Sequence, residues 1–175
     1  MQARVILKPR AERKLRNFYP WAFHDDIAEV VGDPEPGAIV WVREASGALV
    51  GQAFYNPQAA IPLRMLSLGD EPIDAAWFRR RLLAAAERRR GIEGTNAVRL
   101  VHGEADGLPG LIVDRYGDML VVQIRNLGME RRRELLVGSS PPVGSMSAAM
   151  SRRGRTRAWR RGSACSGGRC RIPSR

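Results

Sequence analysis

Three groups of residues have types and spacing that could do chemistry. The first is Lys8, Arg10, Arg13, Lys14 and Arg16, followed at once by Tyr19, Trp21 and His24. Clustered cations neutralise phosphates and flat rings stack on unpaired bases, so this combination suits RNA. The same residue types also describe a solvated helix face with Trp21 and Phe23 buried beneath a barrel. The second group is the string Gly103-Glu104-Ala105-Asp106-Gly107-Leu108-Pro109-Gly110. Its two carboxylates could work as an acid–base pair or hold a cation. Three glycines and a proline also make a rigid turn in which Asp106 bonds its own backbone, and the string lacks the lysine of a phosphate loop. A structural role is the better expectation. The third group is His24, His102, Cys165 and Cys170, which stand at no spacing that makes a nucleophile, a disulfide framework or a zinc site. No catalytic residue and no metal ligand is expected from these residues.

The elements that must position these groups read clearly. Arg4–Lys8 alternates as an opening strand, and Pro9–Arg16 has proline early and helix formers after it. Pro20 fixes an aromatic turn over Tyr19–Phe23. Strands are expected at Ile27–Val31, Ala38–Glu44, Leu49–Tyr55 and Leu63–Leu68, and short strands with Gly/Pro turns suggest a small β-barrel. A helix follows from Asp74 as N-cap, with Trp77, Phe78, Leu82 and Ala85 on its apolar stripe. Its other face carries Arg79, Arg80, Arg81, Arg88, Arg89 and Arg90, read as solvated. Ala97–Val101 is a strand, Leu111–Arg115 and Met119–Ile124 form a hairpin, and Met129–Leu136 begins a helix. No apolar run is long enough to cross a bilayer, no secretory signal is visible, and a cytoplasmic location is expected.

Composition breaks near Val137. The 175-residue chain has a formal net charge of +11, from 29 Lys+Arg against 18 Asp+Glu. From Gly138 to Arg175 there are nine arginines and no Asp, Glu or Lys, so residues 1–137 carry 20 − 18 = +2. The high pI therefore belongs to the tail.

The segments Lys8-Pro9-Arg10, Tyr19-Pro20-Trp21-Ala22-Phe23, Gly51-Gln52-Ala53-Phe54-Tyr55-Asn56-Pro57 and above all Arg99–Gly117 resemble one enzyme family. It is the PUA-domain, class I, S-adenosylmethionine-dependent rRNA methyltransferases of the large-subunit cytosine-C5 type. The resemblance covers about residues 4–137. It implies an α+β chain: an N-terminal PUA RNA-binding pseudobarrel over 1–70, then the incomplete start of a central α/β domain over 74–137. The family's catalytic domain, with its cofactor site and nucleophilic cysteine, has no counterpart here, and Cys165 and Cys170 match none of its motifs. The expected partner is RNA, 23S rRNA by resemblance, with no membrane or metal partner. The parent family uses S-adenosylmethionine, and none is expected in this chain. It should bind RNA through Lys8, Arg10, Arg13, Lys14, Arg16, Trp21 and His24, and be inactive as an enzyme alone.

Residues 138–175 read as a disordered basic arm. A sharper reading comes from their codons. In the frame one nucleotide upstream, Ser145–Ser151 permits Val-Tyr-Glu-Arg-Ser-Asp-Val, and Thr156–Arg160 permits a Glu-Gly-Leu-Glu string. Such a run is what this family carries after its central helix. The tail thus reads as out-of-frame translation, with the slip between about Glu134 and Ser139. The other reading is a stand-alone RNA-binding or ribosome-associated protein whose basic tail is functional.

Overall fold

The computed structural model describes residues 3–17, 19–138, 147–152 and 155–159. Cys165, Cys170 and residues 139–146, 153–154 and 160–175 of the expected tail lie outside the described residues.

The first half contains β1 (Arg4–Leu7), α1 (Ala11–Arg16), β2 (Trp21–Ala22), β3 (Ile27–Val31), β4 (Ala38–Arg43), β5 (Leu49–Tyr55) and β6 (Leu63–Leu68). They form one sheet in the order β2-β6-β5-β4-β1-β3, in which β1 and β4 are parallel and the other pairs antiparallel. The sheet curls into a half-barrel. Period-two alternation sends Val5, Leu7, Val40, Val42, Ala53 and Leu63 inward, and α1 contributes Leu15 to the same core.

The second half contains α2 (Ala75–Glu87), β7 (Ala97–His102), β8 (Leu111–Tyr116), β9 (Met119–Ile124), α3 (Leu127–Glu130) and α4 (Arg133–Gly138). Asp74 caps α2 as expected, its side chain accepting the Trp77 N–H at 2.8 Å. Trp77, Phe78, Leu82 and Ala85 lie on the buried stripe, packed in one cluster with Val98, Leu100, Val113, Leu120 and Val122 of the β7–β8–β9 sheet. The helix expected over 129–136 is divided into α3 and α4. Asn126 opens α3 by accepting the Met129 N–H at 2.8 Å. The chain turns at Arg131-Arg132, where the Arg132 guanidinium donates to the Gly128 carbonyl at 2.8 Å and the Gly37 carbonyl at 3.3 Å.

Two further strands lie inside the segment expected as a disordered arm, β10 (Ser147–Arg152) and β11 (Arg155–Trp159). The edge of β9 offers a free row of backbone donors and acceptors, and β10 takes it in parallel register before β11 folds back antiparallel. The second sheet therefore runs β11-β10-β9-β8-β7.

The two halves share a wall. β5 is buried along nearly its whole length, because Val50, Ala53 and Tyr55 belong to the barrel core while Phe54 belongs to the second core. Leu66 of β6 joins Phe54 there. Arg131 reaches back to Glu35 at 2.5 Å, and the Arg132 guanidinium lies 5.0 Å from the Phe54 ring centroid. Gly37 and Gly128 face this seam. A Cβ at Gly37, whose φ is 89°, would press on Leu127 and Arg131, and one at Gly128 would overlap the Phe54 ring.

Candidate RNA interface

The N-terminal cations sit on one turn and one short helix. β1 ends at Leu7, and the Lys8 N–H donates to the Asp26 carbonyl at 2.8 Å. Arg10 has φ 75°, the only non-glycine positive φ among the described residues. That conformation costs a residue with a Cβ about 1 kcal/mol or more, and it is retained because the Ala11 N–H closes on the Lys8 carbonyl at 3.1 Å. Lys8, Arg10 and Arg13 are exposed. None of the three has a carboxylate partner among the described residues.

The other two cations are engaged. Lys14 pairs with Asp26, and its ammonium lies 5.6 Å from the Tyr19 ring centroid and 5.2 Å from that of Phe23. Arg16 pairs with Glu44 at 2.5 Å and donates to the Leu49 carbonyl at 3.2 Å. His24 is exposed, with Nε2 3.0 Å from the Ala59 carbonyl oxygen.

The rings divide differently from either sequence expectation. Trp21 is half-buried, and its indole Nε1–H donates to Glu104 Oε1 at 2.9 Å. Arg64 lies 5.7 Å from the Trp21 centroid and also pairs with Glu104, at 2.8 Å. Phe23, which one sequence alternative buries under the barrel, is 38% exposed, and Tyr19 is 41% exposed. Ala22 takes the inward position between them. Tyr19 meets Trp21 edge to face at 5.8 Å and 77°.

The 103–110 turn ties distant elements together through its two carboxylates. Burial works against the Glu104 charge. The Trp21 N–H, the backbone N–H groups of Glu104 and Gly110 and the Arg64 guanidinium outweigh it and hold the carboxyl below its ordinary range. Asp106 is likewise opposed by burial, then held low by Arg89, Arg88 and the His102 N–H. Its side chain is only 2% exposed, with Arg88 at 2.6 Å, Arg89 at 2.9 Å and the His102 N–H at 2.6 Å. The Asp106 carboxylate does bond backbone, but at the His102 N–H at the end of β7 rather than within its own turn. The arginine face of α2 is less free than its sequence suggests: Arg88 and Arg89 grip Asp106, and Arg81 lies 5.1 Å from the Trp77 ring centroid. Among the described residues no group of three or more His, Cys, Asp and Glu side chains could share a metal ion, and no helix is long and apolar enough to cross a membrane.

A pH dependence follows from the two lowered carboxylates. Each is ionised more readily in the fold than in the unfolded chain, so each contributes stability above the unfolded carboxylate pKa of about 4. That contribution is lost as pH falls through the lower, folded value. The urea midpoint should stay level from about pH 7 to pH 5 and then drop below about pH 4. Glu104→Gln should flatten part of that drop, and an unchanged acid limb in this variant would contradict the assignment.

No signal in the sequence pointed to the Trp21–Glu104–Arg64 contact, which spans 83 positions along the chain. Residues 5–68 match the PUA-like domain family. Among relatives, the chain is 38% identical over 141 residues to the ribosomal RNA large subunit methyltransferase I of Alteromonas mediterranea, covering 78% of this chain and 36% of that protein. The same-named proteins of Shewanella denitrificans and Yersinia pseudotuberculosis are 38% and 36% identical, each again covered over 36% of its length. The chain thus spans about a third of the length of the curated relatives it matches. The fold is similar to that of a Streptococcus mutans protein classed among the SAM-dependent methyltransferases, with TM-score 0.74 and 18% identity over 85% of this chain and 40% of that one. A methyltransferase-class structure in complex with SAH matches at TM-score 0.77 and 18% identity, over 90% and 42% of the two chains. Residues 5–68 are therefore a PUA-like domain, and 78% of the chain is homologous to a stretch about a third the length of the ribosomal RNA large subunit methyltransferases I.

Proposed function

We propose that this chain is the RNA-binding part of a methyltransferase acting on cytosine C5 of 23S rRNA, and that alone it binds RNA without transferring methyl groups. The observation that carries the reading is the set of exposed cations Lys8, Arg10 and Arg13, without carboxylate partners among the described residues, on a PUA-like domain that also exposes Tyr19 and Phe23. Phosphates need mobile cations that are not already neutralised, and these three qualify where Lys14 and Arg16 do not.

The family's cofactor, S-adenosylmethionine, supplies the methyl group where it is bound. Residues described here do not fit it. The glycine-dense turn 103–110 leads into β8 rather than into the start of a helix, and both of its carboxylates are committed to arginines and N–H groups. No methyl-transfer step is assigned to this chain.

Binding of single-stranded RNA should fall steeply with salt. Each neutralised phosphate contributes about 0.7 to the log–log slope, so replacing Lys8, Arg10 and Arg13 together by alanine should lower the slope by about two. A slope unchanged in this triple variant, but lost on truncation after Trp159, would instead favour a stand-alone protein that binds through a basic tail. Incorporation of label from methyl-labelled cofactor into RNA by this chain alone would overturn the claim of inactivity.

A further inference from the structure

The structure assigns Tyr19 and Phe23 as a stacking platform for unpaired RNA bases, which makes single-stranded or looped RNA, rather than duplex, the ligand of this face. The inference rests on the RNA reading above and goes further, because it names the two side chains that select the ligand.

Four observations carry it. Trp21–Ala22 is a short strand and Phe23 is extended, so Trp21 and Phe23 flank the buried Ala22, while Tyr19 meets the Trp21 ring edge to face and Lys14 lies near both Tyr19 and Phe23. The backbone is pinned at both ends and in the middle: the Tyr19 N–H donates to the Lys14 carbonyl at 3.0 Å, the Met65 N–H to the Pro20 carbonyl at 2.8 Å, and the Phe23 N–H to Asp26 Oδ2 at 2.7 Å. Both rings therefore stand in fixed places while leaving about two fifths of their surface to solvent. The central ring, Trp21, is taken up by Glu104 and Arg64 and acts as an anchor.

The fourth observation is charge. The Lys14 ammonium lies between the two outer rings, within cation–π range of both, and Asp26 holds it there. Lys8, Arg10 and Arg13 lie on the adjoining turn and helix without carboxylate partners among the described residues. Exposed rings inside a cationic rim fit a polyanion that carries flat apolar groups. An unpaired nucleotide is such a ligand, whereas a duplex keeps its base faces stacked and presents only phosphates, 2′-hydroxyls and base edges.

The test uses a single-stranded oligoadenylate and a blunt RNA duplex of the same length, with the full chain. Wild type should prefer the single strand. Tyr19→Ala with Phe23→Ala should weaken oligoadenylate binding about tenfold or more and leave duplex binding unchanged. Tyr19→Leu with Phe23→Leu keeps apolar bulk without the aromatic faces and should weaken it similarly; unaltered urea midpoints show that both variants fold. The charge variant at Lys8, Arg10 and Arg13 should weaken both ligands. Oligoadenylate binding that survives loss of the rings overturns the platform while the RNA reading stands. Equal losses for single strand and duplex, or full retention in the leucine variant, also overturn it. A wild-type chain that binds neither ligand removes the RNA reading itself, and the platform with it.

Discussion

Asp106→Ala is expected to destabilise the protein by about 3 kcal/mol or more, the cost typical of removing one partner from a buried charged network. The side chain has 2% of its surface exposed and holds three donors at once, Arg88, Arg89 and the His102 N–H. Removing it leaves a backbone N–H at the end of β7 without an acceptor, a loss of about 1–3 kcal/mol by itself. Arg88 can turn to water, since it is already half exposed, whereas Arg89 is mostly covered and also donates to the Ala85 carbonyl. Asp106→Asn keeps the shape and one acceptor oxygen, so its cost should be about half as large. Urea unfolding followed by circular dichroism separates the two. Loss of less than about 0.5 kcal/mol in the alanine variant, the range of ordinary surface changes, would show that Asp106 is not a structural hub.

Gly128→Ala should cost about 2 kcal/mol, although alanine is the better helix former by about 1 kcal/mol. The added Cβ would overlap the buried Phe54 ring near its attachment point, where no rotamer change relieves the clash. Forcing an extra carbon into a packed core costs about 1–3 kcal/mol, and here it would also push on the seam between the two halves. Combining Gly128→Ala with Phe54→Leu should cost less than the sum of the single changes, because the smaller side chain makes room for the methyl group. Additive costs in that double-mutant cycle would mean that the two residues do not touch.

Local signals in the chain carried most of the fold. The strands at Leu49–Tyr55, Leu63–Leu68 and Met119–Ile124 match the alternation that announced them, and Asp74 with the stripe from Trp77 to Ala85 marks α2 correctly. Periodicity reports which face of an element is apolar, and that was enough to find these elements. It does not report which of two cores receives the residue. Phe54 and Leu66 look like barrel residues and pack into the second half. Arg88 and Arg89 look solvated and grip a carboxylate 18 and 17 positions away. Trp21 reads either as a stacking ring or as a ring buried under the barrel, and it is instead half-buried and tied down by Glu104. In each case the deciding partner is distant in sequence and belongs to a different element. The strands β10 and β11 were missed for a related reason: their segment reads as basic and small-residue rich, and only the open edge of β9 gives it something to pair with.

The shared wall of β5 and β6 also sets a schedule for synthesis. Translation delivers the barrel strands first, and at about 5–20 residues per second the partners of Phe54 and Leu66 emerge seconds later. Throughout that interval the nascent chain presents one apolar flank of a nearly finished barrel, with Val98, Leu120 and Met129 still to come. The barrel is thus made as an open-faced intermediate that waits for the second half to close it. Any holding factor that meets the growing chain would find its target on the outward face of β5.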